Sequence, residues 1–140
     1  MNTGTEIFKA DTEKSPDKFI EDLCALAKKS GFVVRDVHDM NQIFKGYGVD
    51  VSNDFRYYMV QMCNPKKAYN SISANPERGV LIPKFVVVFR KDEKSKTEVR
   101  FLSYSEAFVG SMFGEDSDFQ KSLPDSCRSI INIINEALKN

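Results

Sequence analysis

One stretch constrains the fold more than any other: Phe85 to Arg90, FVVVFR, preceded by Pro83. Its consecutive valines crowd the preceding turn of a helix but pack well on a pleated surface, so the run reads as a central strand. The polar turn Lys91 to Lys96 (KDEKSK) leads into Glu98 to Tyr104, whose residues alternate in polarity. Two such runs joined by a longer turn predict a hairpin, and so an antiparallel sheet.

The rest of the chain must supply partners for that hairpin. Thr5 to Ala10 reads as a first strand, Phe32 to Asp39 as a second and Phe55 to Cys63 as a third. Ser15-Pro16 starts a helix, because Ser15 can cap it and the missing N–H of Pro16 is unpaired at a first helical position anyway. Phe19, Ile20, Leu23, Leu26 and Ala27 follow helical spacing and predict a buried stripe that ends at Gly31. Short helices are predicted from Met40 to Tyr47, with Ile43 and Phe44 inward, and from Pro65 to about Ser73, with Ala68, Tyr69 and Ile72 on one face. Asn75-Pro76 and Gly79 punctuate a loop, and Glu106 to Phe113 is a weak helix ending at Gly114. Pro124 is expected to open the last helix, with Cys127, Ile130, Ile131, Ile134 and Leu138 keeping its period. Strands and helices do not alternate regularly. The expected class is therefore α+β, with about five antiparallel strands and helices on one face.

At 140 residues the chain is one domain's worth, with residues 1–4 expected to be flexible. Its 41% hydrophobic content suffices for a packed core without a disulfide or metal staple. Lys+Arg and Asp+Glu both number 20. That balance argues against a nucleic-acid module, whose affinity comes largely from a basic excess, and is compatible with self-association. Cys24, Cys63 and Cys127 are odd in number and widely spaced, and no apolar leader or membrane-length run occurs. A cytoplasmic location, with no membrane partner, is the resulting expectation.

Four residues stand out as a candidate ligand or thiol site. His38, the lone histidine, ends a strand and is either a general base or a plain strand-end residue. Asp39 beside it can cap the following helix. Cys63 precedes Asn64-Pro65, the start of a helix, where unpaired N–H groups favour a thiolate; the alternative is a small half-buried hydrophobe. Cys24 and Cys127 lie on helical stripes and read as core. No HxH, HExxH or Cys/His cluster predicts a metal, no phosphate loop is present, and no cofactor is expected. Tyr57 and Tyr58 must point to opposite faces of their strand, so at most one is free to stack a ligand.

The order of Gly31-Phe32, Val37-His38-Asp39, Gly48-Val49, Cys63-Asn64-Pro65 with Ala68, and Leu81-Ile82-Pro83 before Val86-Val87-Val88 resembles the family called domain of unknown function 302. The resemblance runs from about Thr5 to the C-terminus. It implies a fold similar to the TATA-box-binding-protein type, a curved antiparallel sheet in β-α-β4-α order with extra short helices here. It also implies a homodimer and no established activity. Many members have a cysteine after the proline that Pro83 matches, and here that position is Lys84. A paired-thiol mechanism is thereby weakened. The sequence is read first as a homodimeric module binding a small molecule, second as a thiol-dependent enzyme or redox sensor acting through Cys63, and last as a nucleic-acid binder.

Overall fold

The computed structural model describes residues 5–139; the expectation for residues 1–4 lies outside them. Five strands form one open antiparallel sheet: β1 (Thr5–Thr12), β2 (Val33–Asp39), β3 (Arg56–Cys63), β4 (Lys84–Arg90) and β5 (Thr97–Tyr104). Their spatial order is β1-β5-β4-β3-β2. The β4–β5 hairpin is central, as the valine run requires, with Val86 opposite Phe101 and Val88 opposite Val99. Its turn is held by Asp92, whose Oδ1 accepts the N–H groups of Lys94 and Ser95, both at 2.8 Å.

Five helices accompany the sheet: α1 (Pro16–Lys29), α2 (Met40–Gly46), α3 (Pro65–Ala74), α4 (Glu106–Met112) and α5 (Ser117–Leu138). Ser15 caps α1 by accepting the Lys18 N–H at 3.1 Å, with Pro16 as first helical residue. Gly31 follows with φ +81°, a conformation a side chain would strain. Phe19, Leu23 and Ala27 of α1 meet Cys127, Ile130 and Ile134 of α5 over Val60, Val86, Val88, Val99 and Phe101 of the sheet. That is the main core. Leu26, predicted within the stripe, is only partly buried at its edge. A smaller cluster of Val109, Phe119 and Leu123 packs under α4.

Three local expectations are corrected. Ile43 and Phe44 of α2 face solvent rather than inward. Asn41 turns inward instead, donating its amide to the Phe55 carbonyl, so a polar tie holds α2 rather than an apolar stripe. The segment after Asn75 is a 3₁₀ turn, Pro76–Val80, not an open loop. The last helix starts at Ser117, not at Pro124, which lies buried inside it. Pro124 has no N–H to give the Gln120 carbonyl, a cost that the buried ring's packing offsets. The true start signal is Asp116, whose Oδ1 accepts the Phe119 N–H at 3.2 Å.

Candidate functional site

Asn64 caps α3 by accepting the Lys67 N–H at 3.2 Å, and Pro65 stands at the first helical position. The helix that results buries none of its own residues; Tyr69 is 72% exposed. It therefore stands off from the sheet instead of sealing against it. The gap is a cleft of about 400 Å³ between α3, the first half of α5 and the adjoining ends of β3 and β4. That volume suits a small molecule.

The floor is Phe32, Met62 and Lys84, with Met62 and Lys84 directly opposite in the β3–β4 ladder. Cys63 and Asn64 border it from the end of β3. The wall from α5 is a polar stripe: Asp118, Ser122, Ser126 and Ser129 recur at helical spacing on the face turned to the cleft. The other side of the same helix carries Leu123, Cys127, Ile130 and Ile134 into the cores.

Lys84 is the unusual member. Strand alternation places it on the helix side of the sheet with Val86 and Val88, and it is 9% exposed. Its Nζ donates to the Ile82 carbonyl at 3.1 Å, and no carboxylate pairs with it among the described residues. Burial pushes its pKa below the ordinary lysine value, while the nearby Cys127 and Cys63 act in the opposite sense. An amine so placed is a nucleophile when neutral and a counter-charge in search of an anion when protonated.

Arg78 also borders the cleft, but its charge is spoken for. Its Nε and one terminal nitrogen donate to the two Asp116 oxygens at 2.8 and 2.7 Å, and the other terminal nitrogen donates to the Ser71 carbonyl at 3.2 Å. Asn75 adds an amide donor to Asp116 at 3.0 Å. One carboxylate thus caps α5 and clamps the 3₁₀ turn to it. The Arg78 guanidinium holds the Asp116 carboxyl far below the usual range, helped by Asn75 and the Phe119 N–H. A second groove, between the start of α1 and the end of α5, is likewise self-satisfied: Lys14 Nζ donates to Asp22 at 2.8 Å and to the Ala137 carbonyl at 2.7 Å.

The four sequence-predicted residues divide into two pairs. Cys63 and Asn64 meet at the cleft. His38 and Asp39 do not: His38 pairs with Met59 whereas Cys63 pairs with Val33, so four residues, about 13 Å at a strand's rise, separate them along the sheet. His38 lies against Phe85 with ring centroids 6.1 Å apart, and Asp39 caps α2 by accepting the Gln42 N–H at 3.3 Å. A single site shared by all four is therefore corrected to a cleft holding Cys63 and Asn64 alone. Cys127 is buried and Cys24 packs at the edge of the core; burial pushes both thiols up. Tyr58 points inward and Tyr57 lies on the other face.

Lys84 enters the sequence reading only as a departure from a family pattern, and Arg78 not at all. The stripe on α5 was legible as polar residues at positions i, i+4, i+8 and i+11 from Asp118. Starting the helix at Pro124 cut that stripe in two. Among the described residues there is no group of His, Cys, Asp and Glu arranged to hold a metal, and no helix long and apolar enough to cross a membrane.

The model of the family described as Domain of unknown function DUF302 matches residues 8–140. The crystal structure of an uncharacterized conserved DUF302 protein from Bacillus stearothermophilus is similar to this chain, with a TM-score of 0.67, 20% identity and 94% of each chain covered. At that identity the likeness shows the fold alone. No curated protein matches.

Proposed function

The chain belongs to the domain of unknown function DUF302 family, and from that premise we propose that it is a binding module whose small-molecule ligand occupies the cleft over Lys84. The observation that carries this reading is Lys84 itself. A fold stabilised only by packing gains nothing from burying an amine without a counter-ion, since desolvating the charge is costly. Beside it stand hydroxyl and amide groups on α5 and α3 that can orient a polar molecule. A thermal-shift screen of small metabolites tests the reading, with Ser126→Leu as the variant that fills the cleft. A true ligand present at about 100 times its dissociation constant adds about 2.7 kcal/mol of stability to the native protein and far less to the filled variant. A screen with no stabilising molecule, or with equal effects on both proteins, overturns the reading.

Self-association is the second part of the proposal. α1 and α5 cover one face of the sheet. Across the other run Tyr57, Met59, Phe85, Val87 and Phe89, none of them buried, and Ile7 and Leu102 are 57% and 46% exposed. Lys9 and Arg100 lie among them beside Asp11 and Glu98, so the face carries both signs and suits a second copy of itself. Sedimentation at micromolar concentration as a monomer would remove this part.

The thiol reading is favoured by one fact, that Cys63 borders the same cleft. Alkylation across pH separates it: a thiolate that forms well below about pH 8.5 supports chemistry at Cys63, and an inert thiol ends it.

A further inference from the structure

The geometry points to Lys84 as a covalent site for small carbonyl compounds, an aldehyde or a 2-oxo acid, held as an imine in the cleft. The inference rests on the binding reading above and narrows it to a ligand class. Lys84 lies at the floor of a cleft of about 400 Å³, opposite Met62, with its amine tied only to the Ile82 carbonyl. Other buried or half-buried cations have carboxylate partners: Arg78 with Asp116, and Lys14 with Asp22. Lys84 has none among the described residues, so no carboxylate favours its protonated form. Phe32 and Met62 line the floor beside it, and Lys84 is only 9% exposed.

The step balances without any oxidant or reductant. The lone pair of Nζ attacks the carbonyl carbon, a C–N bond forms, and the carbonyl π bond opens. The oxygen then leaves as water with the two amine protons, and a C=N bond remains. The Ser126 and Ser129 hydroxyls and the Asn64 amide border the same space and can hydrogen-bond the oxygen before it departs. Lys66, Lys67 and Lys121 are exposed to solvent, Lys67 at the rim of the same cleft, and serve as the internal comparison for labelling.

The test is reductive trapping of the intact protein at pH 7. Glyoxylate or glycolaldehyde is added with cyanoborohydride, and adducts are located by peptide mass spectrometry. The expected result is about tenfold more adduct on Lys84 than on any exposed lysine, because burial disfavours the protonated amine there and not on the surface. The intact mass should lose one adduct in Lys84→Met and in Lys84→Arg. Adducts spread evenly over exposed lysines, or absent from Lys84, overturn the inference, and mapping the native protein settles this even if a variant misfolds. An unlabelled Lys84 in a protein that still binds a screened molecule, with binding lost in Ser126→Leu, removes the imine and leaves the binding reading. No labelling together with no stabilising molecule removes both.

Discussion

The two halves of α5 stand in opposite surroundings on one sheet. From Cys127 to Ala137 the helix presses Cys127, Ile130 and Ile134 onto α1 and the central strands, and no polar side chain interrupts the seam. From Ser117 to Ser126 it faces a cleft with Asp118, Ser122 and Ser126 on one side, while Phe119 and Leu123 pack under α4 on the other and an ion pair caps its start. The first half of the chain's longest helix is thus held by a small apolar cluster with an ion pair at its rim, and the second by the main core. The difference teaches where apolar sealing gives way to polar lining in this fold. An amine, that of Lys84, is buried at the polar-lined end.

The largest effect that can test the contrast is at the dry end. Phe101→Ala, at a side chain 2% exposed, should cost about 3–5 kcal/mol in denaturant unfolding and leave the cleft's ligand preferences unchanged once folded. Next comes the clamp. Arg78→Ala leaves the Asp116 carboxylate without its main partner and should cost about 3 kcal/mol. The pH dependence follows with its sign: Asp116 has its pKa lowered on folding, so its contribution is full above about pH 4 and is lost as pH falls below that value. The acid-unfolding curve of Arg78→Ala should be correspondingly flatter than that of the native protein between neutrality and pH 2, roughly, by circular dichroism.

The third effect has the opposite direction. Lys84→Met should stabilise the protein by about 1–2 kcal/mol at pH 7, because it removes a desolvated amine and keeps the packing volume. Burial lowers the folded-state pKa of Lys84, so the unfolded chain binds the extra proton in the window between the folded value and about pH 10.4. Native stability therefore rises through that window, and the advantage of Lys84→Met shrinks across it. A variant less stable than the native protein at pH 7 would mean that Lys84 is held by contacts and not tolerated for a function. The smallest effect is at the α3 cap, where Asn64→Ala should cost about 1 kcal/mol in equilibrium unfolding.

Much of this architecture was readable from residue order. The valine run and its hairpin, the Ser15-Pro16 start and the Asp39 and Asn64 caps rest on local chemistry, and the structure reproduces them because that chemistry works within a few residues. The misreadings share a cause. Polarity alone points Ile43 and Phe44 inward, and proline preference alone starts a helix at Pro124, yet both outcomes depend on partners far along the chain. The candidate site was half legible for the same reason. Cys63 and Asn64 mark the cleft from a strand end, but Lys84 becomes notable only once alternation and the arrival of α5 bury it. The joining of Arg78 to Asp116 spans 38 residues and has no local signal.

The two borders of the sheet differ in one detail with practical weight. β2 is interrupted by a register shift between Val34 and Asp36, while β1 pairs without a break from Thr5 to Thr12. A bulged strand presents its free N–H and C=O groups out of line, so an incoming strand cannot zip along it. The unbroken rim at β1 is the side from which uncontrolled strand addition would begin under stress or at high concentration. Glu6, Lys9 and Asp11, charges at intervals along that rim, are its protection against fibril-like growth.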